Sequence, residues 1–283
     1  MAEQNNCWDL SVSSQHKLFD INLRELIRYR DLIMMFFVRD FTVTYKQTIL
    51  GPLWYIISPL LSTLVYAVVF GNIAGVGTNG IPALLFYFGG TSLWNFFSAS
   101  LNTASGIFLS NAGVFGKVYF PRLVVPIATT FSACLKLLIQ FAFLMIFLVY
   151  YVISGSPVRP TIMAFLFPGM ILWLAALGTG IGMIISSLTT KYRDLNHVLG
   201  LILQLAMFVT PVVYPLSQVP GNLRVFFYFN PISAPMELFR IWFYGVGEVP
   251  LPMVITSISI TILVVFIGLI LFNRNARTCV DVI

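Results

Sequence analysis

Few side chains in this sequence are charged, and those set among apolar neighbours are the ones whose chemistry needs explaining. Lys136 is the only charge between Arg122 and Arg159. An ammonium near the middle of a bilayer costs roughly 2.5–3.5 kcal/mol on insertion scales, so it faces a polar interior or snorkels to an interface. Glu237 and Arg240 stand three apart in a greasy stretch, a spacing at which they can pair on one helix face. Arg39 and Lys46, with Tyr45, precede the first long apolar run and suit the head-group level. The run Lys117-Val118-Tyr119-Phe120-Pro121-Arg122 joins aromatic residues to two cations. Catalytic constellations are missing. The three cysteines, Cys7, Cys134 and Cys279, are far apart, with neither redox nor metal-ligand spacing. His16 and His197 are the two histidines, and no acidic residue falls in the apolar runs. A metal site, an acid–base pair and a proton relay are therefore not expected. Gly113 to Lys117 has the wrong spacing for a phosphate-binding loop and no following Ser or Thr, so ATP is not split here by that route. These residues fit a passage or scaffold driven from elsewhere rather than an enzyme.

The elements that hold them follow from the gaps between charges. Only 9% of the 283 residues are charged and 58% are hydrophobic, with a mean hydropathy of +0.90. Soluble domains carry about 25% charged residues, and so few charges could not cover a core this apolar. The chain is expected to be an all-α integral membrane protein. A crossing takes about 20 apolar residues. The charge-free stretch from Gln47 to Gly116 is too long for one, and Gly71, Gly75, Gly77, Gly80 and Pro82 divide it into spans near Leu50–Phe70 and Ala83–Leu109. Leu123–Val158 supplies a third span, Pro160–Thr190 a fourth, the start of Leu195–Leu223 a fifth and Val249–Asn273 a sixth.

Six spans leave both ends on one side. With both termini cytoplasmic, twelve Lys and Arg lie in inner segments against three in outer ones, as the positive-inside rule requires. Residues 1–20 are polar and lack the basic start and apolar core of a cleavable signal peptide. The +6 net charge is spread over short connections, so nucleic acid is not an expected partner.

Three segments are not plain spans. Residues 21–47 place Leu23, Leu26 and Ile27 on one face, and Asn22 with Glu25 resembles a capping box. An amphipathic helix in the inner interface is expected there, as a partner contact or a simple anchor. Residues 110–122 form a cytoplasmic loop exposing Val114, Phe115, Val118, Tyr119 and Phe120, suited to docking in another protein or lying against head groups. Residues 215–247 are too broken by proline to span and too greasy for a free loop. Two short helices dipping back into the outer leaflet would satisfy the backbone. The remaining 48–283 is the membrane-spanning body.

Ordered motifs carry a resemblance. Tyr45-Lys46-Gln47-Thr48-Ile49-Leu50-Gly51-Pro52-Leu53-Trp54 with Pro59, then Lys117–Arg122, Tyr192-Arg193-Asp194, Thr210–Pro215, Asn230-Pro231, Arg240 and the ending Val280-Asp281-Val282-Ile283 resemble, in order, the permease subunits of polysaccharide ABC exporters. The likeness is nearest to O-antigen exporters, with capsule and teichoic-acid exporters as relatives, and runs from about Leu32 to the end. Val280 stands where Ala is common, and residues 1–20 are not covered. The resemblance implies a homodimer in the bacterial cytoplasmic membrane, working with two copies of a cytosolic ABC ATPase. ATP and Mg would reside on those partners, with no cofactor in this chain. The cargo implied is a glycan on undecaprenyl diphosphate. Lys117, Val118, Tyr119, Phe120, Pro121 and Arg122 would couple to the ATPase, while Arg39, Tyr45 and Lys46 would receive the diphosphate from the inner side. Lys136 would face the passage between two copies of the chain. Pro211, Tyr214, Pro215, Asn230, Pro231, Glu237 and Arg240 would form an outer gate. Two other classes stay open: an exporter of small drugs or lipids, and a membrane-embedded transferase acting on lipid-linked sugars.

Overall fold

Proline and glycine set the helix boundaries. The computed structural model describes residues 27–46, 49–111, 120–189 and 194–282, and among these there is no strand. Helix α1 covers Arg30–Tyr45, and α2 covers Trp54–Tyr66, extended by a π-helical stretch, Ala67–Ile73. Then follow α3 (Ala83–Ser105), the short α4 (Ile107–Ser110), α5 (Val124–Ile153), α6 (Phe167–Thr189) and α7 (Leu195–Val209). The chain ends with α8 (Gly221–Phe229), α9 (Ser233–Tyr244) and α10 (Leu251–Val282). Pro82 and Pro220, both extended, stand directly before α3 and α8, where a missing N–H costs nothing. Gly245 (φ 72°) ends α9 in the left-handed conformation, its N–H donating to the Ile241 carbonyl.

Among the described residues, four helical segments are long and apolar enough to cross a membrane: Gly51–Ile73, Val124–Ile153, Ile162–Thr189 and Leu251–Asn275. The other two expected spans are helical but differ. Helix α3 has 23 residues, yet it carries Thr91, Ser92, Asn95, Ser98, Ser100 and Asn102. Helix α7 is apolar, but its 15 residues rise only about 22 Å at 1.5 Å per residue, short of a ~30 Å hydrocarbon core.

The polarity of α3 has a structural reason. It is the central helix, packed by α2, α5, α6 and α7, and most of its circumference is buried. Its neighbours come close because small residues face each other. A Cβ on Gly178 or Gly182 of α6 would lie 3.0 Å from the Phe97 carbonyl oxygen or 2.7 Å from that of Leu101. On the far side of α6, a Cβ on Gly268 of α10 would lie 2.6 Å from the Gly180 carbonyl oxygen. In lipid, where apolar surface gains nothing by leaving water, such close backbone packing drives helix association.

The early helix is not a free amphipath. Tyr29, Leu32, Ile33 and Phe36 pack into a core cluster with Phe108, Val124 and Phe272, whereas Ile27, Met34, Met35 and Val38 are exposed. Helix α1 is thus apolar on two sides, one fastened to the bundle against α5 and one turned outward. Asn22 and Glu25 lie outside the described residues.

Candidate functional site

At the α1 end of the bundle, the cationic residues expected there are partly brought together. Arg39 holds its own neighbour Asp40, at 2.8 and 3.0 Å, and its guanidinium stands 4.6 Å over the Phe36 ring. Lys46 is exposed just after α1, and the Tyr45 side chain lies outside the described residues. Half-buried Lys136 has a partner that the sequence did not indicate. Its Nζ stands 5.2 Å from the Tyr55 ring centroid, within the ~6 Å reach of a cation–π contact. One turn on, Gln140 donates to the Tyr55 carbonyl at 3.0 Å. Lys136 and Gln140 thus form a polar stripe on α5 that meets the start of α2. A Gln four residues after the Lys was the one available sequence signal.

The expected docking loop is only partly described: residues 112–119, with Lys117, Val118 and Tyr119, lie outside the described residues. One expectation is corrected. Phe120 is buried rather than exposed, 6.0 Å from the Phe36 ring and packed with Ile107, Phe108 and Val124. A phenyl ring has more to gain from this core than from solvent, so Phe120 anchors the loop's end to α1. Pro121 and Arg122 follow it at the start of α5.

At the opposite end lie the seven residues expected at an outer gate. The stretch after α7 contains two short helices, α8 and α9. Arg240 and Glu237 of α9 are 3% and 2% exposed and pair at 2.5 Å through Oε1. The guanidinium also donates to the carbonyls of Pro211 (2.7 Å), Val212 (3.1 Å) and Tyr214 (3.3 Å), and it stands 4.2 Å over the Phe86 ring of α3. The same Glu237 oxygen accepts the Leu216 N–H at 3.0 Å. A buried charge survives only when paired and hydrogen-bonded, and here the pairing ties the 211–216 turn to α9. Tyr214 donates to the Phe208 carbonyl at 2.9 Å. Asn230 donates to the Thr210 hydroxyl at 3.0 Å and accepts the Ile232 N–H at 3.1 Å, bridging Pro231 in an Asx-type turn. The Pro231 carbonyl accepts the Ser257 hydroxyl of α10. Tyr244 donates to the Leu85 carbonyl at 2.7 Å. Sequence spacing pointed to the Glu237–Arg240 pair, but nothing local pointed to Val212, Phe86 or Tyr244 as its surroundings.

Among the described residues the bundle has one buried ion pair, Glu237–Arg240, and four helical segments long and apolar enough to cross a membrane. The ABC-2 type transporter family matches residues 31–244, from the second residue of α1 to the last of α9, and the chain belongs to that family. It is 28% identical over 255 residues to an O-antigen export system permease protein RfbA of Klebsiella pneumoniae, covering 86% of this chain and 92% of the relative. An RfbA permease of Myxococcus xanthus is 27% identical over 224 residues (78% and 84%). The polysialic acid transport protein KpsM of Escherichia coli is 26% identical over 249 residues (84% and 91%).

Proposed function

We propose that this chain is the transmembrane subunit of an ABC exporter that carries a polysaccharide, built on undecaprenyl diphosphate, across the bacterial cytoplasmic membrane. The observation that carries the reading is the breadth of similarity to O-antigen and polysialic acid permeases, which takes in most of this chain and most of each relative. The absence of a phosphate-binding loop in the sequence agrees with an energy source on another subunit.

In this reading two copies of the chain pair around a passage and two ATPase subunits, with their ATP and Mg, sit beneath them. Six segments cross: the four long apolar helices, the enclosed α3, and α7. Both termini face the cytoplasm. The loop containing Lys117 and Arg122 transmits ATPase closure, Arg39 and Lys46 receive the diphosphate, and Lys136 faces the passage. Helices α8 and α9 dip into the outer leaflet as the gate, held shut by the Arg240 knot.

The test is deletion and complementation in the host. Loss of this chain should remove the glycan from the cell surface and leave lipid-linked glycan on the inner leaflet, and wild-type chain with its ATPase should restore export. Normal surface glycan in the deletion strain would overturn the reading. Retained glycosyl transfer by the purified chain without an ATPase would favour a transferase.

A further inference from the structure

Beside the Arg240 knot lies a pocket unlike the others in the bundle. It has a volume of about 400 Å³ and is lined as much by polar as by apolar atoms, whereas the grooves along α5 and α6 are almost wholly apolar. Four chain segments build it. Asn79 comes from the turn between α2 and α3, and Ser217 from the turn after Pro215. Arg224 and Tyr228 come from α8, and Glu237 from α9 with the 245–250 connection behind it.

The polar groups are held in place but not used up. Asn79 and Ser217 bond reciprocally across the mouth, at 2.9 and 3.1 Å, and Gln218 donates to the Gly77 carbonyl at 2.9 Å. Arg224 spends Nε and Nη2 on the carbonyls of Val219 and Ser217, at 3.0 and 2.8 Å. Among the described residues its Nη1 has no acceptor. Glu237 is the telling residue. Its Oε1 takes both the Arg240 guanidinium and the Leu216 N–H. Its Oε2, on a side chain only 2% exposed, accepts no hydrogen bond among the described residues. That oxygen is close to Gly247, whose absent Cβ would approach it to 3.2 Å; Gly247 has φ 133°, a conformation other residues rarely adopt. Oε2 is not one of the fully enclosed side-chain oxygens that lack a partner; with Glu237 and Gly247 both lining the pocket, it is open to a donor there.

We propose that this pocket binds a saccharide. It offers what a sugar ring needs: carboxylate oxygens to accept from hydroxyls, amide and guanidinium donors to give to them, and the Tyr228 ring as a face. The charges also favour a neutral polyol over a cation. Glu237 and Glu248 are balanced by Arg224 and Arg240, and among the described residues no three acidic, His or Cys side chains converge. The volume falls in the usual range of small-molecule sites, ~300–1,000 Å³. Because Oε1 of the same carboxylate holds Arg240, a hydroxyl on Oε2 draws charge from the knot, and occupancy of the pocket loosens the tie between α9 and the 211–216 turn. The site rests on the export reading for its place in transport, with a sugar unit of the emerging glycan as the occupant.

The experiment uses the full-length chain in nanodiscs and a panel of common bacterial mono- and disaccharides, read by saturation-transfer NMR. At least one saccharide should receive transfer from the wild type. Glu237→Gln, which removes a charge-assisted acceptor, should weaken that binding about tenfold or more. Since that change also touches the knot, Tyr228→Ala and Asn79→Ala, which leave Arg240 its partners, should each weaken it too. No transfer to any saccharide, or equal binding in all three variants, overturns the pocket while leaving the export reading standing. Binding of Ca²⁺ or Mg²⁺ that is lost in Glu237→Gln, without saccharide binding, overturns it in favour of a cation. Saccharide binding in a chain whose deletion leaves surface glycan intact keeps the pocket and removes the export reading.

Discussion

Replacing Arg240 by Leu should be among the most damaging single changes in this protein. The guanidinium is 3% exposed and serves Glu237, three backbone carbonyls and the face of Phe86. Removing one partner of a buried ion pair typically costs 3–5 kcal/mol, because the other charge stays buried alone. The fully buried Pro211 and Val212 carbonyls would lose their donor, at about 1–3 kcal/mol each. A loss near 5 kcal/mol is a large part of the 5–15 kcal/mol that folded proteins generally hold. At about 2–4 °C per kcal/mol for a chain of this size class, the melting midpoint should fall by roughly 10–20 °C. The assay is thermal denaturation of the detergent-solubilised chain followed by size-exclusion chromatography. The double variant Glu237→Leu with Arg240→Leu removes the orphaned charge and should recover several degrees, a coupling of about 1–3 kcal/mol. A wild-type midpoint for Arg240→Leu, or a double variant no better than the sum of the singles, would refute the knot as the tie between α9 and the turn before it.

Other expectations are simpler. Gly182→Leu places side-chain atoms against the Leu101 carbonyl of α3, where even a Cβ would stand at 2.7 Å; it should cost at least about 1–3 kcal/mol and show as a lower melting midpoint, with Gly169→Leu, which meets open space, as the neutral control. Lys136→Leu should leave insertion intact and reduce export, because it removes the cation over Tyr55; a Leu variant that exports normally would make Lys136 a membrane anchor. Arg122→Glu should separate ATP hydrolysis from export at normal expression, as measured by ATPase rate against surface glycan. Cys7 and Cys279 should react with impermeant thiol reagents only after the cytoplasmic face is opened, and labelling in sealed right-side-out vesicles would end the six-span topology.

The helices were legible in the sequence because their signals are local. Gaps between charges mark apolar lengths, and Pro82 and Pro220 act on the backbone where they stand, so these breaks are visible without knowledge of neighbours. The Glu237–Arg240 pair was legible for the same reason, as a three-residue spacing on one helix. The remaining partners of Arg240 come from the 211–214 turn and from Phe86 of α3, joined only when the chain folds back, and no pattern along the chain encodes that meeting. Composition foretold that Phe120 is apolar, but not which surface would cover it, and folding gave it to Phe36 of α1 rather than to an outside partner. Lys136 looked solitary because Tyr55, whose ring it approaches, is distant in sequence. Along the sequence α3 reads only as a span, whereas the structure puts that helix at the centre, mostly buried, where α6 glycines let backbones touch. Charge gaps and chain breaks are one-dimensional quantities. Which faces meet depends on side-chain volume and on the pairing of polar groups across helices, and these exist only in the packed bundle.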